Sequence, residues 1–159
     1  MNKVLVSGCL LGEPVRYHGG HALVVHTILK RWQLEGRIVT ICPEVMGGLP
    51  VPRPAAEIRG GSGAGVIEGV CDVRDCGGRD VTAFFLAGAE RALGIAQAQH
   101  VTAAVLKDGS PSCGSQIIFD GTFSGRRRAG EGVTAALLRQ NGIEVFSELE
   151  ISKADAWLR

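Results

Sequence analysis

Three of the five cysteines stand at the same kind of place. Cys9 follows the apolar run "VLVS", Cys42 follows "IVTI", and Cys113 follows "AAVLK" inside "DGSPSCG". A thiol just past a buried run packs, attacks or ligates. Three thiolates brought to one point suit a soft metal or an iron–sulfur cluster. Three ligands instead of four matter, because an open coordination position is where a substrate can enter. Zinc would be expected with a close Cys-x-x-Cys pair or a clear His ligand, and the chain has neither. A cubane [4Fe-4S] cluster with one iron free of protein ligands fits better. On spacing alone, separately packed thiols remain the alternative.

What must position these cysteines is a set of strand ends. The first strand is expected over Lys3–Ser7, a second over "RIVTI", a third over "TAAVLK", and a last over "IEVFS". Between them, apolar residues at helical spacing predict helices over Ala22–Leu34, Val81–Gln99 and Val133–Gln140, with a terminal helical turn at "SKADAWL". Asp80 and Thr82 offer a capping start for the second helix. Strands alternating with helices predict an α/β fold with a mainly parallel, doubly wound sheet. In such sheets ligands bind outside the carboxyl ends of the strands, so Cys9, Cys42 and Cys113 would share one edge. The long connection "CPEVMGGLPVPRPAAEI" is too rich in Pro and Gly to predict a regular element, and its length suggests a functional loop. "GGSGAG" reads as flexible, "VIEGVCDVRDCGGRDV" as a short strand and turn, "SQIIFD" as a short strand, and "SGRRRAGEG" as a basic loop.

Bulk properties narrow the function. The chain has 159 residues, a net charge of +1 and an apolar share of 45%. Its length suits one domain, 1–159, with a substantial core. So small a charge argues against duplex nucleic acid as a partner, though not against a small charged ligand. Five cysteines is an odd number for a disulfide framework, which favours reduced thiols. Small residues before Cys9 could suggest a lipoprotein leader, but too few apolar residues precede it for a signal segment. No stretch approaches the roughly 18 apolar residues of a membrane span. A soluble, cytoplasmic protein is expected, with the oligomeric state left open.

At the level of longer motifs, "SGCLLGEPVRYHGGH", "CPEVMGGLPVPRPAAE", "GRDVTAFFLAGA", "LKDGSPSCGS" and "DGTFSG" together resemble the DUF523 family, which includes the thiouracil desulfidases. The resemblance spans nearly the whole chain, and "CPE…GGLPVPR" with "KDGSPSCG" is highly specific. It implies a [4Fe-4S] cluster held by Cys9, Cys42 and Cys113, whose free iron takes the substrate's sulfur. It also maps an acidic residue onto Glu44 and a serine onto Ser110. His18 is a departure, because an acidic residue is more usual after Arg-Tyr, and this touches loop polarity and substrate preference. The implied activity is non-redox, hydrolytic removal of sulfur from a thiolated pyrimidine-like base such as 2-thiouracil. An open iron polarises a thiocarbonyl, and water must then attack its carbon. Glu44 is placed to act as general base and Ser110 to orient substrate or pass a proton.

Ser7, Arg53 and Ser112 are the candidate substrate-binding residues. These and the catalytic candidates have plainer readings: Ser7 satisfies a loop amide, Glu44 caps a backbone turn or pairs with Arg53, and Ser110 and Ser112 serve a Ser-Pro turn. Cys71 and Cys76 are expected to be incidental thiols, and His18, His21 and His26 satisfied polar residues. Arg126, Arg127 and Arg128 are expected on a solvated face, the minority alternative being contact with an anionic substrate group. Two other functions use the same cysteines: thiol-based redox or metal handling, and a non-catalytic cluster-binding module. An acid–base group beside an open metal position separates the enzyme from both.

Overall fold

A computed structural model describes all residues, 1–159. Four short strands, β1 (Val4–Ser7), β2 (Ile38–Ile41), β5 (Ala103–Leu106) and β8 (Glu144–Ser147), form a wholly parallel sheet in the order β2-β1-β5-β8. Their side chains alternate between two cores, as the pleat demands. On one face Val4, Val6, Val105 and Phe146 meet Leu29 and Trp32 of helix α1 (Thr27–Leu34), with Ile151 and Ala154 of α6 (Ile151–Trp157). On the other, Leu5, Ala104, Leu106 and Val145 meet Ala92 and Ala96 of α4 (Thr82–Ala98), with Ala135 and Leu138 of α5 (Val133–Gln140). Burial on both faces explains why these strands read as continuous apolar runs. The doubly wound α/β expectation holds.

Beside this sheet lie two antiparallel hairpins. One pairs β3 (Ala56–Arg59) with β4 (Asp72–Asp75); the other pairs β6 (Ile117–Phe119) with β7 (Arg127–Ala129). They share a third core with α3 (Gly63–Glu68) and α4, built on Ile58, Val66, Val73, Phe85, Ile118 and Val133.

Several sequence expectations need correction. Helix α1 starts at Thr27, not Ala22, because His26 is extended and its Nδ1 accepts the Ile28 amide at 3.1 Å. The preceding stretch instead pairs its Ala22 and Val24 amides with the carbonyls of Cys9 and Leu10. The proline-rich connection does contain a regular element, the one-turn helix α2 (Pro43–Met46), with Pro43 at its first position, where the missing N–H is no loss. "GGSGAG" opens α3 rather than a flexible loop. The basic loop carries β7, whose three residues are all exposed and whose partners lie across the hairpin.

One close approach sets the position of α2. Gly47 and Gly88 lie where α2 meets α4, and a Cβ at Gly47 would strike the Phe84 carbonyl, one at Gly88 the Pro43 carbonyl. Two residues without side chains let the turn bearing Glu44 lie flush on the long helix.

Candidate metal centre and active site

The chain leaves β1 toward β2 on one side, while β5 leads to β8 on the other, so the sheet order reverses between β1 and β5. The crevice at such a point is the general ligand position of open α/β sheets. Here it opens into a cavity of about 530 Å³, a size suited to a small molecule. Ser7, Cys9, Cys42, Glu44, Arg53, Ser110, Ser112 and Cys113 all line it. Every site residue expected from the sequence is therefore brought to one place.

Each arrives by a short route from a strand. Cys9 lies in a 3-10 turn directly after β1, Cys42 is the cap between β2 and α2, and Cys113 ends the loop that follows β5. Asp108 shapes that loop: its Oδ1 accepts the amides of Gly109 and Ser115 at 3.0 Å and those of Gln116 and Ile117 at 3.2 Å. Four donors on one carboxylate oxygen hold the backbone around Ser110, Ser112 and Cys113. Lys107 braces the same edge, with its Nζ 2.9 Å from Glu148 Oε2. The Lys107 amide donates to Ser7 Oγ at 3.0 Å, which is the plainer role foreseen for Ser7.

All five cysteines are free. Burial pushes the Cys9 thiol up to about 11 and the Cys113 thiol up to about 12, the latter against a smaller opposite pull from the Ser7 and Ser112 hydroxyls. Burial also raises Cys42. Thiol-exchange centres work the other way, with lowered pKa values that expose a thiolate nucleophile. Such thiols give up their protons when a metal takes them. No three His, Cys, Asp or Glu side chains are close enough to hold a single ion. The donor set is three soft ligands around one cavity, and it fits a cluster better than a lone ion.

Beside these thiols is a carboxylate with its two oxygens used differently. Arg53, nearly buried, donates from Nε to Glu44 Oε1 at 3.1 Å and from Nη2 to the Val15 carbonyl at 3.0 Å. Glu44 Oε2 accepts the Ser112 hydroxyl at 2.9 Å, with Ser110 Oγ 3.4 Å away. Ser110 Oγ in turn accepts the amides of Ser112 and Cys113, both at 3.1 Å, and sits 2.9 Å from Ser112 Oγ. With both lone pairs of Ser110 taken, its own proton points along the hydroxyl chain. The chain therefore runs Ser110 to Ser112 to Glu44, and Glu44 is its acceptor end.

Three histidines are satisfied locally. His18, His21 and His26 each accept the amide two residues on at their Nδ1, between 3.0 and 3.1 Å. Cys71 and Cys76 lie outside the cavity, and so do Arg126 and Arg128. Arg127 does line it, over the Phe119 ring at 5.6 Å. Sequence reasoning missed Lys107, Asp108, Glu148, Glu57 and the aromatic residues Tyr17, Phe119 and Phe123 of the cavity wall. Lys107 and Asp108 stood within the quoted "KDGSPSCG", so their position between strand and cysteine was the available signal.

No helix is long and apolar enough to cross a membrane. Comparison with known proteins gives a consistent result. The chain is 44% identical over 149 residues to the uncharacterized protein YbbK of Bacillus subtilis (strain 168), covering 94% of this chain and 97% of the relative. It is similar to the solved structure of the [4Fe-4S]-dependent thiouracil desulfidase TudS, with a TM-score of 0.91, 49% identity and coverage of 99% of this chain and 98% of that one. The 2-thiouracil desulfurase family profile matches residues 4–150. The chain belongs to the 2-thiouracil desulfurase family.

Proposed function

We propose that this protein removes sulfur from a thiolated pyrimidine-like base by hydrolysis without net electron transfer, using a [4Fe-4S] cluster held by Cys9, Cys42 and Cys113. When bound, such a cluster supplies a Lewis-acidic iron without a protein ligand, which takes up and polarises a thiocarbonyl sulfur. The chain's own residues do the rest. Arg53 occupies one oxygen of Glu44 and fixes the carboxylate, leaving Oε2, which accepts the Ser112 hydroxyl, as the basic edge toward the cavity. Glu44 takes a proton from the attacking water at Oε2 as the new C–O bond forms. Ser112 stays as a donor on Oε2 and accepts from Ser110, whose orientation is held by two backbone amides, so the serines position the carboxylate for the water. The C–S bond then breaks, sulfide leaves with the proton that Glu44 took from water returned to it, and the oxo base remains. One thiocarbonyl and one water give one carbonyl and one hydrogen sulfide, so no reductant is consumed. Ser7 and Arg53 bound the substrate's space, and Arg53 does so chiefly by holding Glu44.

The observation that carries this reading is Glu44: a carboxylate tethered on one oxygen by a buried arginine, its other oxygen turned to serines in the three-cysteine cavity. Neither a redox thiol site nor a passive cluster holder requires it. The test is Glu44→Gln in anaerobically reconstituted protein. The variant should keep the visible absorption of the cluster and its iron content, while sulfide release from 2-thiouracil falls about 100-fold or more. Loss of the cluster would make Glu44 structural, and full turnover would move the proton work elsewhere.

A further inference from the structure

The motif "DGTFSG" forms the turn between β6 and β7, and the chemistry above leaves it without a role. Its Phe123 is unusual twice over. The residue lines the cavity yet remains 39% exposed, so it is far from a buried core position. Its backbone sits at φ +56°, the left-handed region that a bulky residue seldom occupies. A strained, half-exposed aromatic persists only where its surroundings force it, and such residues gather at ligand sites.

The surroundings do force it. Glu57 of β3, itself at the cavity wall, accepts the amides of Gly121 at 2.9 Å and Phe123 at 3.2 Å on a single oxygen, Oε1. Gly121 has φ +91°, and a Cβ there would lie 2.6 Å from the Ile58 carbonyl oxygen, so the turn is pressed against β3. From the other side, Asp120 Oδ1 accepts the Thr122 amide at 3.0 Å. Phe119 and Arg127, which stack on each other, continue the same wall.

Resting on the thio-base reading, we propose that Phe123 is a specificity-determining residue, the stacking wall for the flat face of the substrate, and that Glu57 is its positioning residue. The cysteine end of the cavity grips a sulfur but cannot distinguish a planar heterocycle from any other thiocarbonyl. A phenyl ring at the mouth supplies that distinction, because stacking needs a π face and tolerates different substituents.

The test uses the cluster-loaded enzyme with 2-thiouracil, reading kcat and KM separately, and calorimetric binding of the product base uracil. Phe123→Leu keeps apolar bulk without a π face and should raise KM and the uracil Kd roughly ten-fold, with kcat within about two-fold. Phe123→Tyr should stay near wild type in both. Glu57→Ala should raise KM less, about three-fold, and Glu57→Gln, which keeps an acceptor oxygen, should restore it. Phe123→Gly relieves the backbone and should melt no lower than wild type while binding uracil weakly. The proposal is overturned if Phe123→Leu keeps wild-type KM and uracil affinity, if Phe123→Tyr loses as much as Phe123→Leu, or if Phe123→Gly melts lower with binding unchanged. A wild-type enzyme that releases no sulfide would sink the desulfidase reading instead, and the uracil ranking would still decide the wall. Absence of uracil binding in every variant and in wild type overturns the wall as well.

Discussion

The two ends of the cavity are built by opposite means. At the floor, Ser7, Cys9, Arg53, Ser112 and Cys113 are each no more than 8% exposed. They lie on strand ends or on loops whose polar atoms are bonded to backbone. At the mouth, Tyr17 and Phe123 are 41% and 39% exposed and hang from a loop and a hairpin turn. The difference teaches where rigidity is needed. Proton transfer and ligation depend on atoms held to fractions of an ångström, so they sit where the parallel sheet and the Asp108 clasp fix the chain. Contact with a flat ring tolerates more play, and a turn suffices.

Breaking the floor should have the largest effects. Cys9→Ala, Cys42→Ala or Cys113→Ala should each abolish both iron retention after reconstitution and sulfide release, measured by iron assay and visible absorption. Cys71→Ala and Cys76→Ala serve as the matched controls, because both lie outside the cavity. Equal losses across all five cysteines would contradict the division between floor and bystander.

Next comes the Arg53–Glu44 pair, whose side chains are 4% and 15% exposed. Arg53→Ala leaves a carboxylate nearly buried without its cation, and should destabilise the protein by about 3 kcal/mol in denaturant titration. Activity should fall along with stability. Arg53→Ala combined with Glu44→Ala should recover much of the stability and none of the activity. A double variant no more stable than the single one would mean the arginine acts through the Val15 and Pro50 carbonyls instead.

A third prediction sits away from both ends, on the α1–α6 face. Burial works to raise the Asp155 carboxyl, but hydrogen bonds from Arg31, Trp32 and Arg159 outweigh it and hold the group below the ordinary range. A carboxyl depressed in the folded state stabilises the protein above its unfolded value of ~3.9, and that contribution is lost as pH falls through the folded value. Asp155→Asn should therefore lower stability by about 1–2 kcal/mol at pH 7 and flatten its acid dependence below pH 4. An unchanged acid limb would remove Asp155 from the account. The smallest effect is expected at Cys76, exposed and outside the cavity: Cys76→Ser should change stability by under about 0.5 kcal/mol.

The same contrast governs what the sequence disclosed. The floor was legible because each piece is local: a buried run, then a cysteine, then a motif within a few residues. Glu44 and Ser110 are named through the family resemblance those motifs carry, and their link through Ser112 emerges only in the fold. The mouth was not legible, because its order comes from distant partners. Glu57 meets the Gly121 amide 64 positions away. The exposed arginines of β7 look solvated until Phe119 is found opposite Arg127. Glycine-rich "GGSGAG" misled for a related reason, since tertiary packing of Val66 into the third core outweighs the helix propensity that glycine withholds.

The most direct test of the hydrolytic account is a single-turnover reaction of the cluster-loaded enzyme with 2-thiouracil in H₂¹⁸O, under anaerobic conditions and without added reductant. The account predicts one sulfide per uracil, with the uracil oxygen at the former sulfur position carrying ¹⁸O from water. Turnover that stops without an electron donor, or uracil formed without the label, would contradict it.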